Sequence, residues 1–172
     1  MFHVKRIARS LNYKGMIAIL LLCFALNGCV GARPSIQIPD YILVPNGKDI
    51  IGHKGLTAFI FENINTKLPI EQYLSAKLKS ENYAVKEYWV TIEKDKYKII
   101  IYDNADFEKF FNSANYAPIN VVPDNVKNGD ARKFIAISMI NASNEDCLAD
   151  GSLFQNMAVK YLKILKDEYY HQ

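Results

Sequence analysis

The run from Phe134 to Ile140 constrains the fold most strongly, because almost every residue in it is apolar. It reads Phe-Ile-Ala-Ile-Ser-Met-Ile and has no polar face. A short apolar run of this kind is typical of a strand that is covered on both sides. We therefore predict a central strand over residues 133–141.

Three upstream segments also have the patterns of strands. Leu56–Glu62 is short and apolar, and Gly55 and Asn63 bound it. In 85–93, residues alternate so that one face carries Tyr88, Val90 and Ile92. The segment 97–102 follows the polar residues Lys94-Asp95-Lys96, so we predict that 85–102 forms a hairpin with its turn at 94–96.

Three segments have helical periodicity, with apolar residues at spacings of three and four. The first has Pro69 in its first turn and runs to about Glu81. The second covers 105–113 after Asp103 or Asn104 as cap, and the third runs from Ser152 to about Tyr169. Their apolar stripes are Ile70, Tyr73, Leu74 and Leu78; Phe107, Phe110 and Phe111; and Phe154, Met157, Ala158, Tyr161, Leu162 and Leu165. On the last helix, the charged residues Lys160, Lys163, Lys166 and Asp167 are expected mostly off the stripe.

The order of these elements predicts an α+β fold. We expect an antiparallel or mixed sheet of four to five strands, packed by two to three helices and ending in a long C-terminal helix. The domain is predicted to cover 56–172. Glycines and prolines recur through 29–55, which we interpret as a tether that includes, at most, a short edge strand at 36–44.

The N-terminal segment has the layout of an export signal. Residues 1–15 carry positive charge, and Met16 to Leu26 then form an uninterrupted apolar run of 11 residues. A transmembrane helix needs about 20 residues. A charged start with a short apolar core is typical of a secretory signal, so 1–28 is predicted to be a signal peptide.

The signal ends in Leu26-Asn27-Gly28-Cys29, which resembles the lipobox of bacterial lipoproteins. This resemblance covers the signal and Cys29 alone. It implies cleavage after Gly28, lipidation of Cys29 through a diacylglycerol thioether and, in Gram-negative cells, a further acyl chain such as palmitate on the new amino group. Val30 stands where an aspartate would resemble the inner-membrane retention signal, which favours the outer membrane.

Charge argues against a nucleic-acid partner. The chain has 21 basic residues, and removing the four in the signal leaves 17 against 18 acidic ones. The basic excess thus belongs to the segment that is removed, whereas phosphate binding needs a surplus of Lys and Arg on the folded surface.

Residues that carry catalytic or metal-binding chemistry are few. Cys147 is the lone cysteine expected in the mature domain, and we interpret it as buried and inert rather than as a nucleophile. His53 and His171 are expected to be solvated. No spacing of ligands predicts zinc. The acids Glu145, Asp146 and Asp150, and those of 124–130, lack the pattern of a calcium loop. We therefore predict no cofactor, no metal and no catalytic residues.

The aromatic hairpin is the candidate partner-binding site. With Tyr88 facing the core, Trp89 faces the other side together with Glu87 and Thr91, and Tyr97 and Tyr102 lie near them on the second strand. An exposed tryptophan is a common anchor for a partner. Alternatively, a second layer such as residues 36–44 covers Trp89.

These observations predict an envelope lipoprotein whose non-enzymatic domain binds another protein. Its partners would be the membrane, through the lipid on Cys29, and an unidentified protein. Two alternatives stay open at this point. One is an immunity lipoprotein that neutralises a toxin from rival cells, and the other is a small envelope hydrolase that uses Cys147 or the loop acids.

Overall fold

The computed structural model describes residues 35–65, 67–80, 85–120 and 132–172. The predicted signal peptide at 1–28, the lipidated Cys29, the first residues of the predicted tether and the acids of 124–130 lie outside these residues. Ser35–Gln172 belong to one compact unit. Within this unit, residues 35–55 contribute two strands and the buried Ile38.

Five strands form one antiparallel sheet, and two further short strands pair beside it. The sheet consists of β2 (Ile42–Val44), β3 (Ala58–Glu62), β4 (Glu87–Ile92), β5 (Asp95–Ile101) and β7 (Phe134–Asn141), in the order β2-β3-β7-β5-β4. Strands β1 (Ile36–Gln37) and β6 (Tyr116–Ala117) form a parallel pair. The prediction of a central strand near 133–141 is confirmed, since β7 lies between β3 and β5 and is buried almost throughout.

Within the described ranges, three helices complete the predicted α+β fold. Helix α1 covers Ile70–Lys77, α2 covers Asn104–Phe110, and α3 covers Gln155–Tyr170; a short 3₁₀ turn lies at Ser113–Asn115. Helices α1 and α3 pack on one side of the sheet, which we call the helical face. Phe59, Ile99 and Ile137 point into this side from three neighbouring strands. None of the described helices is long and apolar enough to cross a membrane.

The other side of the sheet, which we call the opposite face, is covered only in part. Helix α2 and β6 pack there on a second cluster through Phe107, Phe111 and Tyr116. Residues 46–56, which we call the 46–56 loop, cover the central strands, where Leu56 packs with Ile100 and Ile140. Glu87, Trp89 and Thr91 of the outer strand β4 are exposed beyond this cover.

The helix ends differ from the predicted ones for local reasons. Helix α1 ends at Lys77 rather than near 81, because Lys79 takes a left-handed backbone conformation with φ of 55°. The N–H of Ser80 then donates to the carbonyl of Ser75 at 2.9 Å, which closes the helix end. Helix α3 begins at Gln155, and Ser152 instead caps the preceding turn by accepting from the N–H of Phe154 at 3.3 Å.

The hairpin turn is shorter than predicted. Ile92 pairs with Asp95, so the turn consists of Glu93 and Lys94 rather than residues 94–96. Glu93 has φ of 59°, a conformation that a two-residue hairpin turn requires of at least one residue. The shorter turn fixes the cross-strand pairs of the whole hairpin.

Candidate functional site: the exposed face of the hairpin

Strict alternation along β4 separates a buried side from an exposed one. Tyr88 and Val90 are buried in the core of the helical face. Glu87, Trp89 and Thr91 are exposed on the opposite face. Trp89 is 54% exposed, which is unusual for the largest side chain and makes it the main apolar feature of this surface.

Lys98 holds the indole of Trp89 from the neighbouring strand. The two residues are cross-strand partners, and the Lys98 Nζ atom lies 5.1 Å from the centre of the Trp89 ring. The same Nζ lies 3.1 Å from a carboxylate oxygen of Glu87. A cation over an exposed ring contributes roughly 0.5–1 kcal/mol, so these contacts favour one orientation of the indole. The ring is therefore partly preorganised while much of its surface stays in water.

We call the exposed side chains of the hairpin on the opposite face the Trp89 surface. Thr91 faces Lys96 across the two strands, as Trp89 faces Lys98. The surface therefore has an aromatic centre, a carboxylate at one end and two lysines along the second strand. Its members are Glu87, Trp89, Thr91, Lys96 and Lys98.

The alternative that residues 36–44 cover Trp89 is wrong. Strand β2 within this segment pairs with β3, at the edge of the sheet far from the hairpin. Three strands separate β2 from β4. Within the described residues, the 46–56 loop is the layer nearest to the hairpin, and it packs on Ile100 and Ile140.

Two predicted members of the site, Tyr97 and Tyr102, are corrected by the structure. Tyr97 is 5% exposed and points to the helical face, where its ring meets Phe154 edge-on at 6.1 Å. Tyr102 is fully buried, and its hydroxyl accepts from the N–H of Lys48 at 2.9 Å and shares a hydrogen bond with Ser138. Burial raises the pKa of both phenols. Neither residue is available to a partner at this surface.

Cys147 has the environment of a structural cysteine. It is fully buried in the core of the helical face, and its Sγ lies 3.7 Å from the carbonyl oxygen of Glu145. Burial, together with the nearby negative charges of Asp146 and Glu145, raises the pKa of the thiol to about 12. The hydrolase alternative that uses this thiol is therefore contradicted, since a nucleophilic cysteine must be exposed and ionised.

Asp146, beside Cys147, is engaged by main-chain hydrogen bonds and does not belong to a metal site in the described residues. Asp146 is 5% exposed and accepts from the N–H of Thr57 at 2.7 Å and from that of Leu148 at 2.8 Å. It thereby fixes the loop after β7 to the start of β3. Among the described residues, no group of three or more His, Cys, Asp or Glu side chains is arranged to hold a metal ion.

Asp103 caps helix α2 as predicted. Its carboxylate accepts from the N–H of Asp106 at 2.7 Å and pairs with Lys86. The hydrogen bond from Lys86 and the one from the Asp106 N–H lower the Asp103 pKa to about 2.

His171 is exposed as expected, whereas the Nδ1 atom of His53 is buried with no hydrogen-bond partner within the described residues.

Two shallow cavities lie in the described part of the chain, and Lys96 of the Trp89 surface borders one of them. One of about 200 Å³ is lined by Phe107, Glu108 and Arg132, among others. Both terminal nitrogens of Arg132 lie 2.7 Å from the carboxylate oxygens of Glu71, so its guanidinium is already engaged there. The other, of about 230 Å³, lies beside Tyr97 and Phe154. In the first cavity the Glu108 carboxylate accepts from the main-chain N–H of Ser113 at 3.1 Å.

Sequence reasoning missed the two lysines of the site. Period-two alternation in β5 carries the signal, because Tyr97 and Ile99 point inward and Lys96 and Lys98 must then share the face of Trp89.

No protein-family model, curated protein or solved structure matches this chain. The α+β fold and the geometry of the hairpin are therefore the observations from which a function is argued.

Proposed function

We propose that this chain is a lipoprotein of the bacterial cell envelope that binds another protein through the Trp89 surface. The lipid on Cys29 anchors the domain to the membrane, on the outer membrane where the cell has one. The domain itself is non-enzymatic and works by presenting a binding surface outside the hydrocarbon core. The partner is a protein of the envelope or of its surroundings.

The observation that carries the proposal is the exposed and oriented indole of Trp89. Tryptophan is strongly enriched among the residues that dominate binding energy at protein interfaces. Here it stands 54% exposed between a carboxylate and two lysines. That arrangement has the aromatic centre and charged rim typical of a specific interface.

The chemistry of the rest of the domain supports a binding role over catalysis. The thiol of Cys147 is enclosed, and the carboxylate of Asp146 is engaged by main-chain donors. The two cavities described above are shallow, with volumes of about 200 and 230 Å³, and in the first the Glu108 carboxylate is engaged by the main-chain N–H of Ser113. Under this proposal no cofactor or metal takes part.

The proposed membrane anchoring is tested by replacing Cys29 with serine and separating soluble from membrane fractions. The wild type is expected in the membrane fraction with residues 1–28 removed, because a lipobox cysteine carries at least two acyl chains, which suffice for stable anchoring. The C29S variant is expected to lose both the lipid mass and the membrane fractionation. A C29S variant that is cleaved at the same bond and stays in the membrane contradicts anchoring through a lipid on Cys29.

The binding surface is tested by recovery of partners from detergent-solubilised membranes with wild type, W89A and I164A. Ile164 is a matched control, since it is 50% exposed on α3, away from the hairpin. Loss of an anchoring tryptophan costs about 2 kcal/mol or more, equal to roughly a 30-fold loss of affinity. W89A should lose the partner that wild type and I164A recover. Equal recovery by all three contradicts the proposal.

A further inference from the structure

Among the strands that the structure describes, β4 has β5 as its one neighbour, so the other side of its main chain forms an open edge of the described sheet. The N–H of Ile101 donates to the carbonyl of Lys86 at 2.7 Å, which fixes the phase of the ladder. Hydrogen-bonded pairs alternate along an antiparallel ladder, so the main-chain groups of the even-numbered residues of β4 bond to β5. The N–H and C=O groups of Glu87, Trp89 and Thr91 therefore point away from β5, in the plane of the sheet.

This edge lacks most of the features that usually protect an edge strand. Native edges are commonly shortened, interrupted by proline or twisted by a bulge. Strand β4 has six residues, contains no proline and pairs with β5 in an unbroken register. It therefore offers a regular row of donors and acceptors that another strand can complete.

We propose that β4 pairs antiparallel with β4 of a second copy of this chain, with the two-fold axis at Trp89. The inference deepens the proposed function, on which it rests for the presence of both copies in one membrane. The pair joins two five-stranded sheets into one and brings the two Trp89 surfaces side by side. The partner-binding surface of the lipoprotein is then built from two copies.

The charges of the hairpin are compatible with this symmetry. Glu87 of one copy lies opposite Thr91 of the second copy, and Lys96 faces that threonine across its own hairpin. On each side of Trp89, a Glu87 carboxylate and the Lys96 of the other copy therefore lie on the same face of the joined sheet with the threonine strand between them. Like charges directly opposite each other oppose pairing, and the new pair of strands contains none.

The orientation also fits two chains anchored in the same bilayer. A two-fold axis between antiparallel edge strands runs perpendicular to the sheet, so both opposite faces point the same way. Strand β1, at the N-terminal end of the described chain, pairs with β6 on that face, where Ile38 packs with Tyr116. The two N-terminal ends therefore emerge on one side of the joined sheet.

The membrane is the place where this pairing is expected. A six-residue edge is about 20 Å long, and strand pairing alone buries less than the ~1,200 Å² at which stable interfaces begin. Anchoring two copies in one bilayer raises their effective concentration and offsets this deficit. The test therefore uses full-length lipoprotein in native membranes rather than the isolated domain in solution.

Cysteine cross-linking in those membranes tests the register. Two differently tagged chains are coexpressed, one carrying E87C and the other T91C, and the membranes are oxidised. The predicted pair places these positions about 5.5 Å apart between Cα atoms, within the range of a disulfide. Cys147 is buried and does not compete. A disulfide-linked product that contains both tags is expected.

A chain with E87C alone provides the control for register. The axis separates the two copies of residue 87 by about 14 Å, beyond the reach of a disulfide. E87C alone should therefore give no linked product. Absence of the E87C–T91C product in membranes that contain both folded chains overturns the inference, as does equally efficient linkage of E87C to itself.

Two substitutions of Trp89 separate this inference from the proposed function. W89V keeps the outward N–H and removes the indole, so the cross-link should persist while recovery of the partner is lost. W89P removes the N–H on the open side without breaking the ladder to β5, so the cross-link should be lost. Circular dichroism is used to check that both variants fold. Equal cross-linking of W89P and W89V overturns the strand pairing, whereas loss of the partner bears on the proposed function alone.

Discussion

The environment of a single side chain determines whether Cys147 reacts. Its thiol is buried, and its pKa is raised to about 12 by burial and then by the charges of Asp146 and Glu145. Only the thiolate is nucleophilic. At pH 8, a thiol with a pKa of about 12 holds roughly 1,000-fold less thiolate than one with an ordinary pKa.

We predict that Cys147 of the native lipoprotein reacts with an aromatic disulfide reagent about 1,000-fold more slowly than a free cysteine at pH 8. The released thiolate is followed by its absorbance. The same protein in guanidinium provides the control, since unfolding exposes the thiol and should restore rapid labelling. Rapid reaction of the folded protein would show that the thiol is accessible.

Asp103 combines two interactions that a substitution can separate. It caps α2 through the N–H of Asp106 and pairs with Lys86. Loss of a cap costs roughly 0.5–2 kcal/mol, whereas a pair as exposed as this one contributes little. D103A should therefore lower the urea midpoint clearly at pH 7, and D103N, which keeps a capping oxygen, should lower it by less, because it loses only the contribution of the carboxylate charge. Equal losses would assign the effect to the ion pair.

The same carboxylate predicts how stability depends on pH. The pKa of Asp103 is about 2 in the folded chain and about 4 when unfolded. A lowered pKa means that its contribution is complete above about pH 4 and is lost as the pH falls towards 2. Between pH 5 and pH 2.5, the gap in urea midpoint between wild type and D103N should therefore narrow. A constant gap over this range contradicts the assignment.

At the scale of elements, the 46–56 loop is locked onto the opposite face by a close approach at Gly47. Its N–H donates to the carbonyl of Leu56 at 2.8 Å. A Cβ atom at Gly47 would lie 2.7 Å from that carbonyl oxygen and would clash with the Tyr102 hydroxyl. Tyr102 is buried and cannot move aside freely.

We predict that G47A lowers the free energy of unfolding by about 2 kcal/mol or more, as expected for overpacking against buried groups. Urea denaturation measures the change. G52A is the matched control in the same loop, because a Cβ atom there meets nothing within 4 Å although φ is 85°. G52A should cost about 1 kcal/mol from backbone strain alone. Equal effects would mean that Gly47 is not closely packed.

Period and length in the sequence were sufficient to predict the long elements. The alternation of β4 and β5 correctly placed Tyr88 inward and Trp89 outward, because a half-buried hairpin has one side in water. The burial of Tyr102 could not be predicted in this way. It follows the last residue of β5, and what covers it is the 46–56 loop, a segment without periodicity whose position depends on the whole fold.

At the scale of the whole molecule, residues 35–44 act as a strap across the edge of the sheet. Ile38 packs in the core of the opposite face, whereas Tyr41 stacks on Phe59 at 4.5 Å on the helical face. Asp40, between them, pairs with Lys163 and Lys166 of α3. The sequence pattern predicted a tether here because its strands are only two and three residues long, too short to show a period.

Lys166 links the strap to α3 and so makes it contribute to the stability of the domain. Lys166 was expected to lie off the apolar stripe of α3, yet its side chain is 6% exposed, and its ammonium pairs with Asp40 and lies 3.3 Å from Asp167. Removing one partner of a buried pair leaves an uncompensated charge, whereas replacing the charge by an apolar group of similar size is often neutral. The two substitutions should therefore have very different costs.

We predict that D40A lowers the free energy of unfolding by about 1–2 kcal/mol, less than for a fully buried pair because Asp167 remains nearby and Asp40 is half-exposed. K166M should be close to neutral, and D40A should cost much less when K166M is already present. The coupling energy from this double-mutant cycle, measured by urea denaturation, reports the interaction. K163M is the control, since the exposed Lys163 pairs with the same carboxylate and should couple weakly. Additive effects of D40A and K166M would mean that the strap is held by Ile38 and Tyr41 alone.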